Sequence, residues 1–118
     1  MGNAVAFFEI TSDNHQRAQE FYAKLFDWKV QADPAMGGYA VVDTGAGESA
    51  VAGGIGPSMA PGDAGVKIYL RVDDLDAYVK KAQDLGAKVL VEPQALPGDW
   101  GTIAVVSDPD GNPVGLWK

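Results

Sequence analysis

Few side chains in this chain could do acid–base or nucleophilic chemistry. Glu9 stands in the alternating run Val5–Thr11, sharing a face with Phe7 and Thr11, while Phe8 and Ile10 take the other face. Lys67 stands in a second such run, on the face with Tyr69 and Arg71. A carboxylate so placed can serve as a general base. A desolvated lysine with a lowered pKa can anchor a carboxylate or form a Schiff base. Asp99, within Pro97-Gly98-Asp99-Trp100-Gly101, is a further acid–base candidate. The sole histidine, His15, reads as an exposed residue in the first turn of a helix, and one histidine cannot make a transition-metal site. Nor can a Ser/His/Asp set be assembled around it. With no cysteines, disulfides and thiolate metal sites are excluded. Gly53-Gly54-Ile55-Gly56 runs into Pro57-Ser58. It is therefore neither a phosphate loop, which needs Lys-Ser/Thr, nor a dinucleotide fingerprint, which needs a following helix.

The elements that must position these residues come in two similar sets. Val5–Thr11 reads as a strand, followed by a helix capped by Asp13 or Asn14, with Gln16 three residues after Asp13 as in a capping box. Ala18, Phe21, Tyr22, Leu25 and Phe26 give that helix one apolar stripe. Trp28–Ala32, Tyr39–Asp43 and Ser49–Ile55 read as strands, separated first by the Asp33-Pro34 and Gly37-Gly38 turns. After a Gly/Pro-rich connector, a strand with Ile68, Leu70 and Val72 on one face leads to a helix striped by Leu75, Tyr78, Val79, Ala82 and Leu85, ended by Gly86. Lys88–Glu92, Thr102–Ser107 and Pro113–Lys118 are strands, the last two joined by the tight turn Asp108–Asn112. The expected organisation is one domain over 1–118: a first module over about 4–56, a linker over 57–65 and a second module over about 66–118. Each half alone would be marginally stable.

The bulk properties agree with one globular domain: 118 residues, 47% hydrophobic and 21% charged. A net charge of −7 with a pI near 4.4 carries no basic footprint for nucleic acid. No signal-like pattern or membrane-length apolar run is present, so neither a nucleic-acid nor a membrane partner is expected and a cytoplasmic location is.

Phe21-Tyr22, Leu25-Phe26-Asp27-Trp28, Val72-Asp73-Asp74-Leu75 and the Ser107–Asn112 turn before a final strand, taken in that order, resemble the glyoxalase/bleomycin-resistance/dioxygenase (vicinal oxygen chelate) superfamily, in particular its small single-domain bacterial members. The likeness covers nearly the whole chain. It implies an α+β fold of two βαβββ modules, with curved mixed sheets around a cleft, and a homodimer. It also implies one divalent metal held by His, Glu or Gln from four strands.

Aligned on the helix starts, those four ligand positions fall at Phe7, at Gly53 or Gly54, at Lys67 and at Gly115. None carries a metal-binding side chain at neutral pH, since Phe and Gly offer no donor and Lys is a cation. Glu48 would need a register shift to help. No catalytic metal and no cofactor are therefore expected, and metal-dependent glyoxalase or dioxygenase activity is not expected either, since function belongs to the site and not the fold. By the same likeness the cleft is lined by Phe7, Glu9, Tyr39, Lys67, Tyr69, Trp100, Gly115 and Trp117: aromatic walls, room at the glycines, a few charges and Trp100 over the mouth. That composition suits a small organic molecule.

Three readings follow. The leading one is a metal-independent protein that binds a planar or aromatic compound, for sequestration or resistance. The second is a metal-free isomerase or lyase acting on a carbonyl compound, with Glu9 and Lys67 in polar roles. The third is a non-catalytic partner or scaffold subunit, with Trp117 and Tyr69 filling a collapsed cavity or a dimer interface. For Glu9 and Lys67 the competing reading is a plain ion pair, which burial does not reliably make stabilising.

Overall fold

A computed structural model describes residues 2–58 and 65–118. The chain divides into two compact units, one of Phe7–Val66 and one of Met1–Ala6 with Lys67–Lys118. Most of the expected connector, 59–64, lies outside the described residues. Its flanks are strand, because Pro57 ends one strand and Gly65 opens the next.

The first βαβββ set is β1 (Val5–Ser12), α1 (His15–Phe26), β2 (Lys29–Ala32), β3 (Ala40–Asp43) and β4 (Ala52–Pro57). The second is β5 (Gly65–Arg71), α2 (Leu75–Asp84), β6 (Val89–Ala95), β7 (Thr102–Ser107) and β8 (Pro113–Trp117). The strands run in the order β2-β3-β4-β1 in the first set and β5-β8-β7-β6 in the second. In both, the opening strand lies parallel to the closing strand, and the other neighbours are antiparallel. This α+β, mixed-sheet plan is the one expected. The fourth strand starts later than Ser49 and takes in Gly53 and Gly54, which pair despite lacking side chains. β6 runs on past Glu92 to Ala95 through two register shifts.

The helices are capped by short polar side chains. Asn14 Oδ1 accepts from the Arg17 N–H, and Asp74 Oδ1 from the Ala77 N–H. Since Asn14 is the cap residue, the Asp13–Gln16 capping box does not form. Helix α1 ends on Asp27 in the left-handed region (φ 57°), which a short polar residue tolerates better than most. Gly86 follows α2 at φ +99°.

The two helices bury different kinds of side. Leu75 and Val79 of α2 pack with Val72, Ala104, Val106 and Leu116, with Tyr78, Ala82, Ala87 and Val89 around them. Leu85 does not join; it caps the helix and is exposed. Helix α1 departs further from expectation, because Phe21, Leu25 and Phe26 are each more than half exposed. Its buried centre is Gln19, whose Nε2 donates to the Gly38 carbonyl (2.9 Å) and the Ile55 carbonyl (2.8 Å). The amide satisfies two carbonyls that apolar packing would leave bare, and the apolar stripe is displaced toward solvent. Tyr22 remains in contact, stacking on Trp28, which in turn meets Phe8 of β1.

Candidate functional site

In each set the face away from the helix carries the expected site residues that stand in strands, while Tyr39 and Trp100 stand just outside strands. In the first unit, β1 and β4 align Phe7 with Ala52, Glu9 with Gly54 and Thr11 with Gly56, and β3 places Val41 beside Gly54. Phe8 and Ile10 align with Gly53 and Ile55 and face α1, so no register slip exchanges the two faces. The ambiguity between Gly53 and Gly54 is thereby resolved. Gly53 lies under the Phe8 ring, and Gly54 shares the face of Glu9.

Tyr39 is set by the turn before β3. A short 3-10 helix, Pro34–Met36, is capped by Asp33 and closed by Gly37 and Gly38 at positive φ. The Asp33 N–H then donates to the Tyr39 carbonyl. From there the phenol ring lies on β4, filling the space that a Cβ on Gly54 or Gly56 would occupy. Its hydroxyl donates to Glu9 Oε2 at 2.8 Å. His15 is only half-exposed, with its imidazole against Gly38.

The second unit repeats the device. Tyr69, buried, lies over Gly115, its register partner, where a Cβ would run into the ring. The next row sets Arg71 beside Trp117, with the Arg71 Cζ 3.8 Å from the indole centroid. Trp117 Nε1 donates to the Trp100 carbonyl at 2.6 Å. Trp100 is therefore tied to the site through its main chain, in a loop closed by the Leu96 N–H to Gly101 carbonyl bond. Gly101 adopts φ +87° where a Cβ would strike the Lys118 carbonyl.

The expected room at the glycines is a point of correction. Gly54 and Gly115 are not open, because a tyrosine ring from the same unit covers each. The structure brings Tyr39 to Glu9, Tyr69 to Gly115 and Trp117 to Trp100. Phe7 stands on the Glu9 face of its unit and Lys67 on the Tyr69 face of the other. Asp99 and Glu48 are exposed in loops. Sequence reasoning did not single out Arg71 as a site residue, although its i, i+2 spacing from Tyr69 placed it on that face. A depression lined by Asp74, Asp76, Gln94, Thr102 and Lys118 contains none of the expected ligand residues.

The divalent metal implied by the resemblance does not fit these residues. Phe7, Gly54, Lys67 and Gly115 supply no donor set, and tyrosine rings lie over both glycines. Among the described residues no three His, Cys, Asp or Glu side chains gather into a possible metal cage. Also among the described residues, no helix is long and apolar enough to cross a membrane.

Fold and site plan define a class, and residues 7–117 match the model of the glyoxalase-like domain. The chain belongs to that family, within the glyoxalase/bleomycin resistance/dioxygenase superfamily. It is 30% identical over 114 residues to CFP32 of Mycobacterium tuberculosis, a candidate glyoxylase, covering 93% of this chain and 43% of the relative. It is 30% identical over 129 residues to the anthracycline biosynthesis protein DnrV of Streptomyces peucetius, covering 98% of this chain and 46% of the relative. The chain thus spans a little under half the length of these relatives. A superfamily member of known structure from Vibrio splendidus has the same fold, with a TM-score of 0.63 at 16% identity, covering 98% of this chain and 97% of that one.

Proposed function

We infer that this protein binds a small planar or aromatic organic molecule without a metal, in sequestration or resistance. The observation that carries the reading is the replacement of donor side chains by aromatic floors. Tyr39 lies on Gly54 and Tyr69 on Gly115, two positions where the resemblance implies metal ligands. A ring seated on glycine backbone is a flat, rigid surface, and stacking on it favours planar ligands. The polar groups beside the floors are sparse, as in sites where apolar area gives affinity and a few polar atoms give orientation. The relative named for anthracycline biosynthesis points the same way, since anthracyclines are planar polycyclic aromatics. Phe7 belongs to the proposed lining in the first unit, and Lys67 and Trp100 to that in the second.

The test is native mass spectrometry with elemental analysis, on protein purified without chelator. A metal-free species carrying a copurified organic mass is the expected result. About one divalent metal per chain, bound through side chains, would overturn the reading and make glyoxalase-like or dioxygenase-like turnover the first assay.

A second reading, a metal-free isomerase or lyase acting on a carbonyl compound, is favoured by one observation: the Tyr39 hydroxyl donates to Glu9 Oε2. A carboxylate held in this way is positioned to take a proton from a bound substrate. On that reading Glu9→Gln abolishes turnover and leaves binding intact.

The homodimer remains part of the proposal. It is supported by the exposed Phe21, Leu25 and Phe26 on α1. The relatives, more than twice as long, also have chain enough for a second such domain.

A further inference from the structure

Arg71 is held as an anion-binding group would be. Its backbone N–H donates to the Ala4 carbonyl, and its own carbonyl accepts from Asn3 Nδ2 at 2.8 Å. Its guanidinium sits 3.8 Å from the centroid of the Trp117 ring. The indole is fixed in turn by its N–H bond to the Trp100 carbonyl, and the Trp117 carbonyl accepts from the Val72 N–H. The Arg71 backbone and the ring behind its guanidinium are thus both fixed.

Its choice of partner is the informative part. The chain has 16 acidic residues against 9 basic ones, yet Arg71 packs on an aromatic ring, and no carboxylate pairs with it among the described residues. A guanidinium stacked through its face keeps its in-plane N–H fork for an oxyanion. Arg71 is exposed, so that fork is accessible. Across the strands, two adjacent rows run Tyr69–Gly115–Val105 and Arg71–Trp117–Ile103. Beside the cation, then, lie the half-buried Trp117 and Ile103, with the buried Tyr69 and Val105 in the row behind them.

We propose that Arg71 is the anchor for a carboxylate on the ligand, and that the ligand is a flat aromatic acid whose ring lies along the half-buried Trp117–Ile103 row. This deepens, and rests on, the small-molecule reading above. A carboxylate matches the guanidinium fork in a bidentate pair, which is the strong form of such contacts.

The experiment uses 2-naphthoate and its neutral counterpart 2-naphthamide, titrated into the whole protein and followed by the indole N–H resonance of Trp117. Naphthoate binds about tenfold more tightly than the amide. In Arg71→Met the two probes bind alike, at the affinity of the amide. Arg71→Lys keeps the charge without the fork and falls between the two; it also serves as the control if the methionine variant folds poorly. Equal affinities in the parent protein, or a preference for the acid that survives in Arg71→Met, overturn the assignment while the binding reading stands. Failure of both probes to bind up to their solubility limits overturns the assignment and removes support from the planar-ligand reading as well.

Discussion

Among single residues, Gln19 decides more than its type suggested. Helical spacing named Phe21, Leu25 and Phe26 as the packed face, but the helix instead turns an amide inward. The reason is local: β4 and the turn before β3 present the Ile55 and Gly38 carbonyls toward α1, and one Nε2 carries the two N–H groups that satisfy them. Gln19→Leu keeps the size and removes both donors, so it costs about 1–3 kcal/mol per carbonyl left bare. Urea unfolding checks this, and an unchanged midpoint would mean that water takes over both bonds. The faces of β1 were legible, because strict alternation assigns Phe7, Glu9 and Thr11 together. The Tyr39–Glu9 bond was not, since 30 residues separate the partners and only the pairing of β3 with β4 and of β4 with β1 brings them together.

At the level of elements, the turns were the most legible features. Asn14, one of the two expected candidates, caps α1, the Asp74 cap of α2 emerged only from the structure, and the Asp108–Asn112 turn joins β7 to β8 as its composition requires. In that turn Asp108 accepts from the Asn112 side chain and from the backbone N–H groups of Asn112 and Asp110. The Asn112 side chain first, and then these backbone donors with Gly111, holds the Asp108 carboxyl below its ordinary value. A lowered folded pKa contributes stability that is present above the unfolded value, about 3.9, and is lost as pH falls through the folded one. Asp108→Ala is therefore less stable than the parent near neutral pH, and the gap narrows in acid below about pH 4. Thermal midpoints across that range test the sign; a gap that stays constant would assign the effect to backbone conformation alone. The end of α2 was read less well, since Leu85 fits the apolar stripe by spacing but becomes the cap and turns outward.

At the level of the molecule, the exposed apolar side chains of α1 give the proposed dimer a place to form. Phe21 and Leu25 are each 56% exposed, and Phe26 51%. Large apolar groups left exposed on one helix are the kind of feature that marks an interaction surface. Sedimentation velocity of the parent gives twice the 12.4 kDa chain mass, and Phe21→Glu shifts it to the monomer while the fold is kept. A parent that remains monomeric at all concentrations would leave these side chains without an interface role.

The sequence by itself determined the doubled order of strand, helix and strands and a short polar cap at the start of α1, and through the family resemblance the α+β class and the lack of ligating side chains at the positions that resemblance marks. The element order follows from residue type and short-range periodicity, the rest from residue types at the family's positions. Only the tertiary structure decided which glycine of the Gly53-Gly54 pair shares a face with Glu9, that Tyr39 and Tyr69 lie over glycines, that Gln19 is the buried centre of α1, and that Arg71 rests on Trp117. These depend on strand register and on contacts between residues far apart in the chain. A change of one residue in register moves every side chain of a strand to the opposite face.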